Sequence, residues 1–182
     1  MTALPTGLTA GTHAIDASHS QAAFVVRHAG ISKVRGSIAI SAGTITVGED
    51  LESSSVTATL DAASVSTGDE GRDGHLRSAD FWDAESNPTW TFTSTSVRAD
   101  GDDYVIEGDL TINGTTRPVT LETEFSGAAT DPFGNPRVGF EASTKISRKD
   151  FGLTWNAPLE AGGVLIGDKI TITLDVSAIT AS

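Results

Sequence analysis

Residues 72–83 bring a cation, a histidine and two adjacent aromatic side chains into one short stretch. Arg72, His75, Leu76 and Ala79 follow the i, i+3, i+4, i+7 spacing that places side chains on one face of a helix. A guanidinium and an imidazole beside an apolar surface can hold the polar or anionic head of an amphiphile. The same imidazole also has the chemistry of a general acid or base.

A short helix over about 71–80 is predicted from this spacing. Asp69 and Glu70 lie where negative charge favours a helix start, and Asp73 and Arg77 are four residues apart, a spacing that allows an ion pair. We expect the helix to close one end of the surrounding structure. Two roles are open at this point, a lid over a ligand and a plug that only covers an open end.

Period-two alternation of apolar and polar residues dominates the rest of the chain and predicts strands. The clearest runs are 34–40, 56–60, 104–112, 119–125, 138–146 and 170–176. Asn113-Gly114, between two runs, is a strong hairpin-turn signal. Strands with one apolar face and hairpin connections predict an antiparallel sheet, and about eight of them can close into a barrel. The predicted fold class is therefore all-β, an antiparallel β-barrel with the short helix at one end.

The predicted inner face mixes large apolar residues with small ones. The small ones are Gly36, Ala58, Gly108, Ala142 and Thr144. Small inward residues would widen an eight-stranded barrel enough to hold one small ligand, whereas a tapered and fully packed interior explains them equally well.

Composition excludes several classes of protein. The chain has 24 acidic against 12 basic residues, a formal net charge of −12, which argues against nucleic-acid binding and against polybasic attachment to anionic lipids. It has no cysteine, so disulfides, thiolate metal sites and cysteine nucleophiles are excluded. No apolar run is long enough to span a membrane, and no leader is visible in residues 1–13. We expect a cytoplasmic protein, or a periplasmic or secreted one if a leader was removed.

Several motifs together resemble the YceI-like family, and they occur in the family's order over roughly residues 13–178. They are Asp16-x-x-His19-Ser20, Phe24-x-x-x-His28, Thr67-x5-Asp73-x-His75-Leu76 with Phe81-Trp82-Asp83, Gly108-Asp109-Leu110-Thr111-x-x-Gly114, and Ser147-Arg148-x-Asp150-Phe151-Gly152. The resemblance implies a lipocalin-like, eight-stranded barrel whose interior binds a polyisoprenoid or a similar amphiphile such as a quinone, often as a homodimer. It implies no catalytic residue, cofactor or metal. On this reading residues 1–12 are an N-terminal extension, and 13–182 form a single YceI-like β-barrel domain.

Candidate site residues follow from the predicted barrel and the matched motifs. The expected apolar wall is Phe24, Val26, Leu76, Phe81, Trp82, Trp90, Phe92, Phe151 and Trp155, and the expected head-group contacts are His28, Arg72 and His75. The loop that carries Phe151 and Trp155 is expected over the other rim, away from the helix. Ordinary core packing and structural hydrogen bonds explain the same residues taken singly.

A barrel enzyme that acts on a bound amphiphile is the alternative function, with His75 or His28 as its acid–base group. A hydrolase is disfavoured because no G-x-S-x-G motif accompanies Ser78. The four histidines lack the sequence spacing of a zinc site.

Overall fold

The computed structural model describes residues 1–160 and 162–181. Strands dominate the described part of the chain, as the alternation predicts. They are β1 (Gly11–Ile15), β2 (Gln21–His28), β3 (Ser32–Val47), β4 (Ser55–Ser66), β5 (Thr89–Asp100), β6 (Asp103–Ile112), β7 (Thr115–Thr130), β8 (Pro136–Ser147) and β9 (Ile166–Thr180). A single α-helix among these residues, α1, spans Glu70–Arg77. Short 3₁₀ turns lie at Ala17–His19, Leu51–Ser53 and Arg148–Phe151.

The strands close into an antiparallel barrel with eight strand positions. The order is β3-β2-β9-β8-β7-β6-β5-β4, and β4 pairs back onto β3. The short β1 pairs with the far parts of β3 and β9. It therefore occupies the same strand position in the barrel as β2, and the 3₁₀ turn Ala17–His19 separates the two. This closure confirms the predicted eight-stranded barrel and leaves no long unpaired edge along its wall.

The hairpin turn between β6 and β7 is the one predicted. Asn113 and Gly114 adopt φ angles of +53° and +73°, the left-handed conformation that both central residues of a tight hairpin need. From this turn Ile112 pairs with Thr115, and the register runs without a shift to Tyr104 and Thr123. The turn therefore sets which face of each strand points inward.

Helix α1 starts one residue before the predicted range and ends three residues earlier. The Asp69 carboxylate caps its first turn by accepting from the Arg72 N–H at 2.8 Å. The Ser78 hydroxyl donates to the His75 carbonyl at 2.6 Å where the helix ends. The predicted Asp73–Arg77 ion pair is wrong, because Asp73 is buried and accepts instead from the backbone N–H and the hydroxyl of Thr67.

The barrel has two ends with different covers. The end at which β2, β4, β6 and β8 finish carries α1 and the 148–165 loop, and we call it the helix end. At the opposite end, the N-terminal end, Thr2 bonds to the 3₁₀ turn Leu51–Ser53, and Leu4 and Leu8 pack against side chains of β3, β8 and β9. In the described part of the chain, no helix is both long and apolar enough to cross a membrane.

Candidate ligand-binding cavity

A cavity of about 490 Å³ occupies the barrel interior and reaches from one end to the other. Leu76 and Phe81 line it at the helix end, Ile106 and Leu174 line it along the wall, and Leu8 is one of the residues lining it at the N-terminal end. The volume falls within the range of pockets that enclose small ligands, roughly 300–1,000 Å³. The fully packed interior is therefore wrong, and the barrel has room for a ligand.

Two of the small inward residues do not line this cavity themselves. A Cβ added at Gly36 would lie 2.4 Å from the ring of Phe24, and one added at Gly108 would lie 2.4 Å from the ring of Phe92. Each glycine thus lets a neighbouring aromatic ring lie against the strand. The small side chains that do line the cavity include Ala58, as predicted.

Aromatic side chains form a continuous wall on one side of the cavity. The rings of Trp82 and Trp90 have centroids 5.3 Å apart, and Phe24 lies 6.0 Å from Trp82. All three rings line the cavity, as does Phe92. The indole Nε1 atoms of both tryptophans are buried without an acceptor among the described residues. Aromatic packing, not hydrogen bonding, therefore holds these two rings.

A second aromatic cluster joins α1 to the 148–165 loop. His75 packs edge-on against Trp155 and Phe81, with ring centroids 4.6 Å and 5.0 Å away, and Trp155 lies 5.4 Å from Phe81. The Nε2 atom of His75 also lies 2.9 Å from the Asp80 carboxylate. The loop expected over the other rim therefore covers the same end as α1. Four strands separate the two connections, and an even number returns the chain to the same end of an up-and-down barrel.

The basic groups that line the cavity all belong to this helix end. They are Arg27 and His28 at the end of β2, Arg72 and His75 on α1, and Arg148 after β8. Among the described residues no Asp or Glu lines the cavity, although the chain has twice as many acidic as basic residues. The helix end therefore presents positive charge and hydrogen-bond donors to the mouth of an apolar lumen.

Arg72 and Arg148 are both tied to nearby backbone. Arg72 donates to the hydroxyl and the carbonyl of Thr67, at 2.7 and 3.0 Å, so it does not bridge to an acid on its own helix. Arg148 is 5% exposed and donates to the carbonyls of Gly167, Leu153, Trp155 and Ile166. Burial lowers the pKa of the Arg148 guanidinium, and Asp168 opposes that change.

Eleven of the twelve predicted site residues line the cavity: Phe24, Val26, His28, Arg72, His75, Leu76, Phe81, Trp82, Trp90, Phe92 and Trp155. Phe151 lies elsewhere. The 3₁₀ turn Arg148–Phe151 buries its ring to 1% exposure in the core, and Leu153, two residues later, takes the lining position. Phe81 and Trp82, which follow the helix, are buried.

Several lining residues were missed from the sequence. Arg27 and Arg148 lie at the helix end, and Pro5, Leu8 and Leu51 lie at the N-terminal end. The two leucines at positions 4 and 8 were the available signal for the second end. Strand counting was the available signal for Arg148, because it assigns the loop after β8 to the helix end.

The histidines do not assemble a metal or hydrolytic site. His13 is buried at the N-terminal end, His19 pairs with Asp16, and no group of three metal-ligating side chains converges within 1–160 and 162–181. The Ser78 hydroxyl donates to the backbone carbonyl of His75 and not to its ring.

A closed antiparallel barrel around an apolar cavity defines the class of ligand-binding β-barrels to which lipocalins belong. The sequence model of the YceI-like domain matches residues 13–178, which is most of the chain. Protein YceI of Escherichia coli O17:K52:H18 is 45% identical over 139 residues, 76% of this chain and 73% of the relative. The chain therefore belongs to the YceI-like family.

Solved structures show the same barrel. The Campylobacter jejuni YCEI protein superposes with a TM-score of 0.68 at 28% identity, over 86% of this chain and 90% of that one. A polyisoprenoid binding domain from Saccharophagus degradans, implicated in plant cell wall breakdown, superposes with a TM-score of 0.68 at 14% identity, over 95% of this chain and all of that one. At this identity the second comparison speaks for the fold alone.

Proposed function

We propose that this protein binds a long-chain isoprenoid lipid, or a quinone with an isoprenoid tail, inside its barrel and acts as a carrier, store or sequestering protein. The observation that carries the proposal is a long apolar cavity whose basic groups are confined to the helix end. An amphiphile with one polar head and one long apolar tail matches that division. A barrel of the same fold is described as a polyisoprenoid binding domain, so this architecture is compatible with such a ligand.

The bound lipid has a preferred direction in this proposal. Its head lies at the helix end, within reach of Arg72, His75 and His28, and its tail extends past Trp82 towards Leu174. In the reverse orientation the head would lie away from the basic groups, with only neutral side chains of the described residues around it, some of them hydroxyl-bearing. An anionic head would then be buried without an ion pair, at a cost of several kcal/mol. Because apolar wall dominates the cavity, binding and not catalysis is the role we assign to it.

Native mass spectrometry of detergent-free protein, before and after loading with an isoprenoid quinone, tests the proposal. The critical variant is Ala58→Phe, which places a ring in the cavity from β4. Its matched control is Thr57→Phe, which adds the same ring to the exposed side of the same strand. We expect lipid adducts on the wild type and on Thr57→Phe, and at least tenfold weaker loading of Ala58→Phe.

Circular dichroism establishes that both variants fold before their loading is compared. If folded wild-type protein takes up no isoprenoid lipid, or if Ala58→Phe loads as well as Thr57→Phe, the proposal fails. A His75→Gln variant addresses the enzyme alternative in the same preparation. A chemically altered lipid released from the wild type, but not from His75→Gln, would replace binding with catalysis.

A further inference from the structure

Residues 2–9 form a strap across the N-terminal end of the barrel, and it is anchored at both of its ends. Near its start, the N–H and hydroxyl of Thr2 donate to the Glu52 carboxylate, and the Leu51 N–H donates to the Thr2 carbonyl at 3.0 Å. These bonds from Thr2 lower the pKa of Glu52 to about 2. The start of the strap is therefore fixed to the 3₁₀ turn between β3 and β4.

The other end of the strap is held by a buried histidine. His13 is 0% exposed, and its Nε2 lies 3.3 Å from the Thr9 carbonyl while its Nδ1 lies 3.0 Å from the Thr180 hydroxyl. A carbonyl only accepts, so Nε2 donates to Thr9. The ring thus connects the strap to β9.

Between its anchors the strap presents apolar side chains to the lumen. Leu8 is 9% exposed and packs with Ile45, Val47, Val138 and Ala178 in a hydrophobic cluster separate from the main core. Leu4 packs against this cluster, and Pro5 and Leu8 line the cavity itself. A turn closed by the Leu8 N–H on the Pro5 carbonyl, with Gly7 at φ +95°, holds Leu8 in this position.

We propose that the strap is the floor of the cavity and that Leu8 sets the longest isoprenoid chain the protein accepts. The inference rests on the proposed function, since it needs a tail that points away from the helix end. Affinity should rise by about fourfold for each methylene buried until the tail reaches Leu8. A longer tail must then fold back or displace the strap, which costs free energy, so affinity should pass through a maximum and then fall. The strap also precedes the YceI-like match, which begins at residue 13.

The test measures the affinity of a homologous series of linear polyprenols, from three to eleven isoprene units, by competition in native mass spectrometry. Leu8→Ala removes part of the floor, and we expect its affinity maximum to move to chains at least one unit longer than those of the wild type. Leu8→Trp raises the floor, and we expect a maximum at least one unit shorter. Thr6→Trp adds the same ring at an exposed position of the same strap and should leave the maximum unchanged.

Deletion of residues 2–9 is an additional variant that should abolish the upper length limit. If it fails to fold, the Leu8 substitutions decide alone. A wild-type protein that binds no polyprenol of any length defeats the proposed function itself. If the wild type binds with a length maximum that neither Leu8 variant moves, the floor assignment is overturned while the proposed function stands. A change only in the exchange rate of bound lipid, with the same maximum, also overturns it.

Discussion

Replacement of Arg148 by methionine should destabilise the protein and loosen the helix end of the barrel. The guanidinium donates to four carbonyls of the segment 153–167, at 2.9, 3.0, 3.2 and 3.4 Å. Methionine keeps an unbranched apolar stem of similar length but has no donor. The substitution therefore removes the hydrogen bonds that fix the loop carrying Trp155, while much of the side-chain packing is retained.

The expected size of the effect follows from those bonds. A buried acceptor that loses its partner costs about 1–3 kcal/mol, so the two bonds of 3.0 Å or less account for about 2–6 kcal/mol. Removal of a desolvated charge and access of water at the rim offset part of this loss. We expect the free energy of unfolding to fall by about 2–4 kcal/mol in Arg148→Met.

Urea denaturation with linear extrapolation measures this change, and hydrogen exchange locates it. Amide protection at Leu165, whose N–H donates to the Ala157 carbonyl at 2.9 Å, should fall in Arg148→Met. The neighbouring and exposed Lys149→Met is the matched control, expected within about 0.5 kcal/mol of the wild type. If Arg148→Met is as stable as the wild type, or if Lys149→Met loses as much, the four-carbonyl account of this arginine is refuted.

Two further predictions concern the wall and the N-terminal end. Gly108→Ala should lower the free energy of unfolding by about 1–3 kcal/mol, because its Cβ would meet a phenylalanine ring and a backbone carbonyl. The control in the same urea assay is Gly139→Ala, whose Cβ has no neighbour nearer than 3.5 Å. Arg137 holds the pKa values of Asp16 and Asp131 well below their usual range, with N–O distances of 2.8 Å to both. The stabilisation from this cluster is present above pH about 4 and is lost as the pH falls towards the lowered pKa values. In Arg137→Gln the free energy of unfolding should therefore fall less steeply as the pH is lowered below about 4. An unchanged acid limb in Arg137→Gln would contradict this.

The strands and their inward faces were predictable because each is a local property. Alternation identifies which residues face inward, and Asn113-Gly114 sets the register between β6 and β7. This pattern and the family motifs together led to twelve candidate residues, eleven of which line the cavity. Phe151 does not line the cavity because a 3₁₀ turn follows β8 directly. A shift of one or two residues along this turn decides which side chain enters the lumen.

The assignment of loops to ends is not a local property, and it was wrong for 148–165. It depends on the number of strands between two connections, and β5, one of the four strands between α1 and this loop, is not among the clearest alternating runs of the sequence. The strap of residues 2–9 escaped notice for a related reason. Its apolar residues can be recognised as a cover of the barrel only once β3, β8 and β9 are known to meet at one end.

An open lumen inside a narrow barrel requires that some large side chains be accommodated within its wall. Phe24 lies directly opposite Gly36 in the β2–β3 register, and the missing Cβ lets its ring lie against the strand. Phe92 of the adjacent strand β5 is paired with Leu110, and its ring reaches diagonally over Gly108. These glycines therefore affect both the stability of the barrel and the volume of its lumen, because a Cβ would push each ring into the cavity. Gly108→Ala should lose stability and lipid loading together, whereas Ala58→Phe, which adds its ring directly to the lumen, should lose mainly loading.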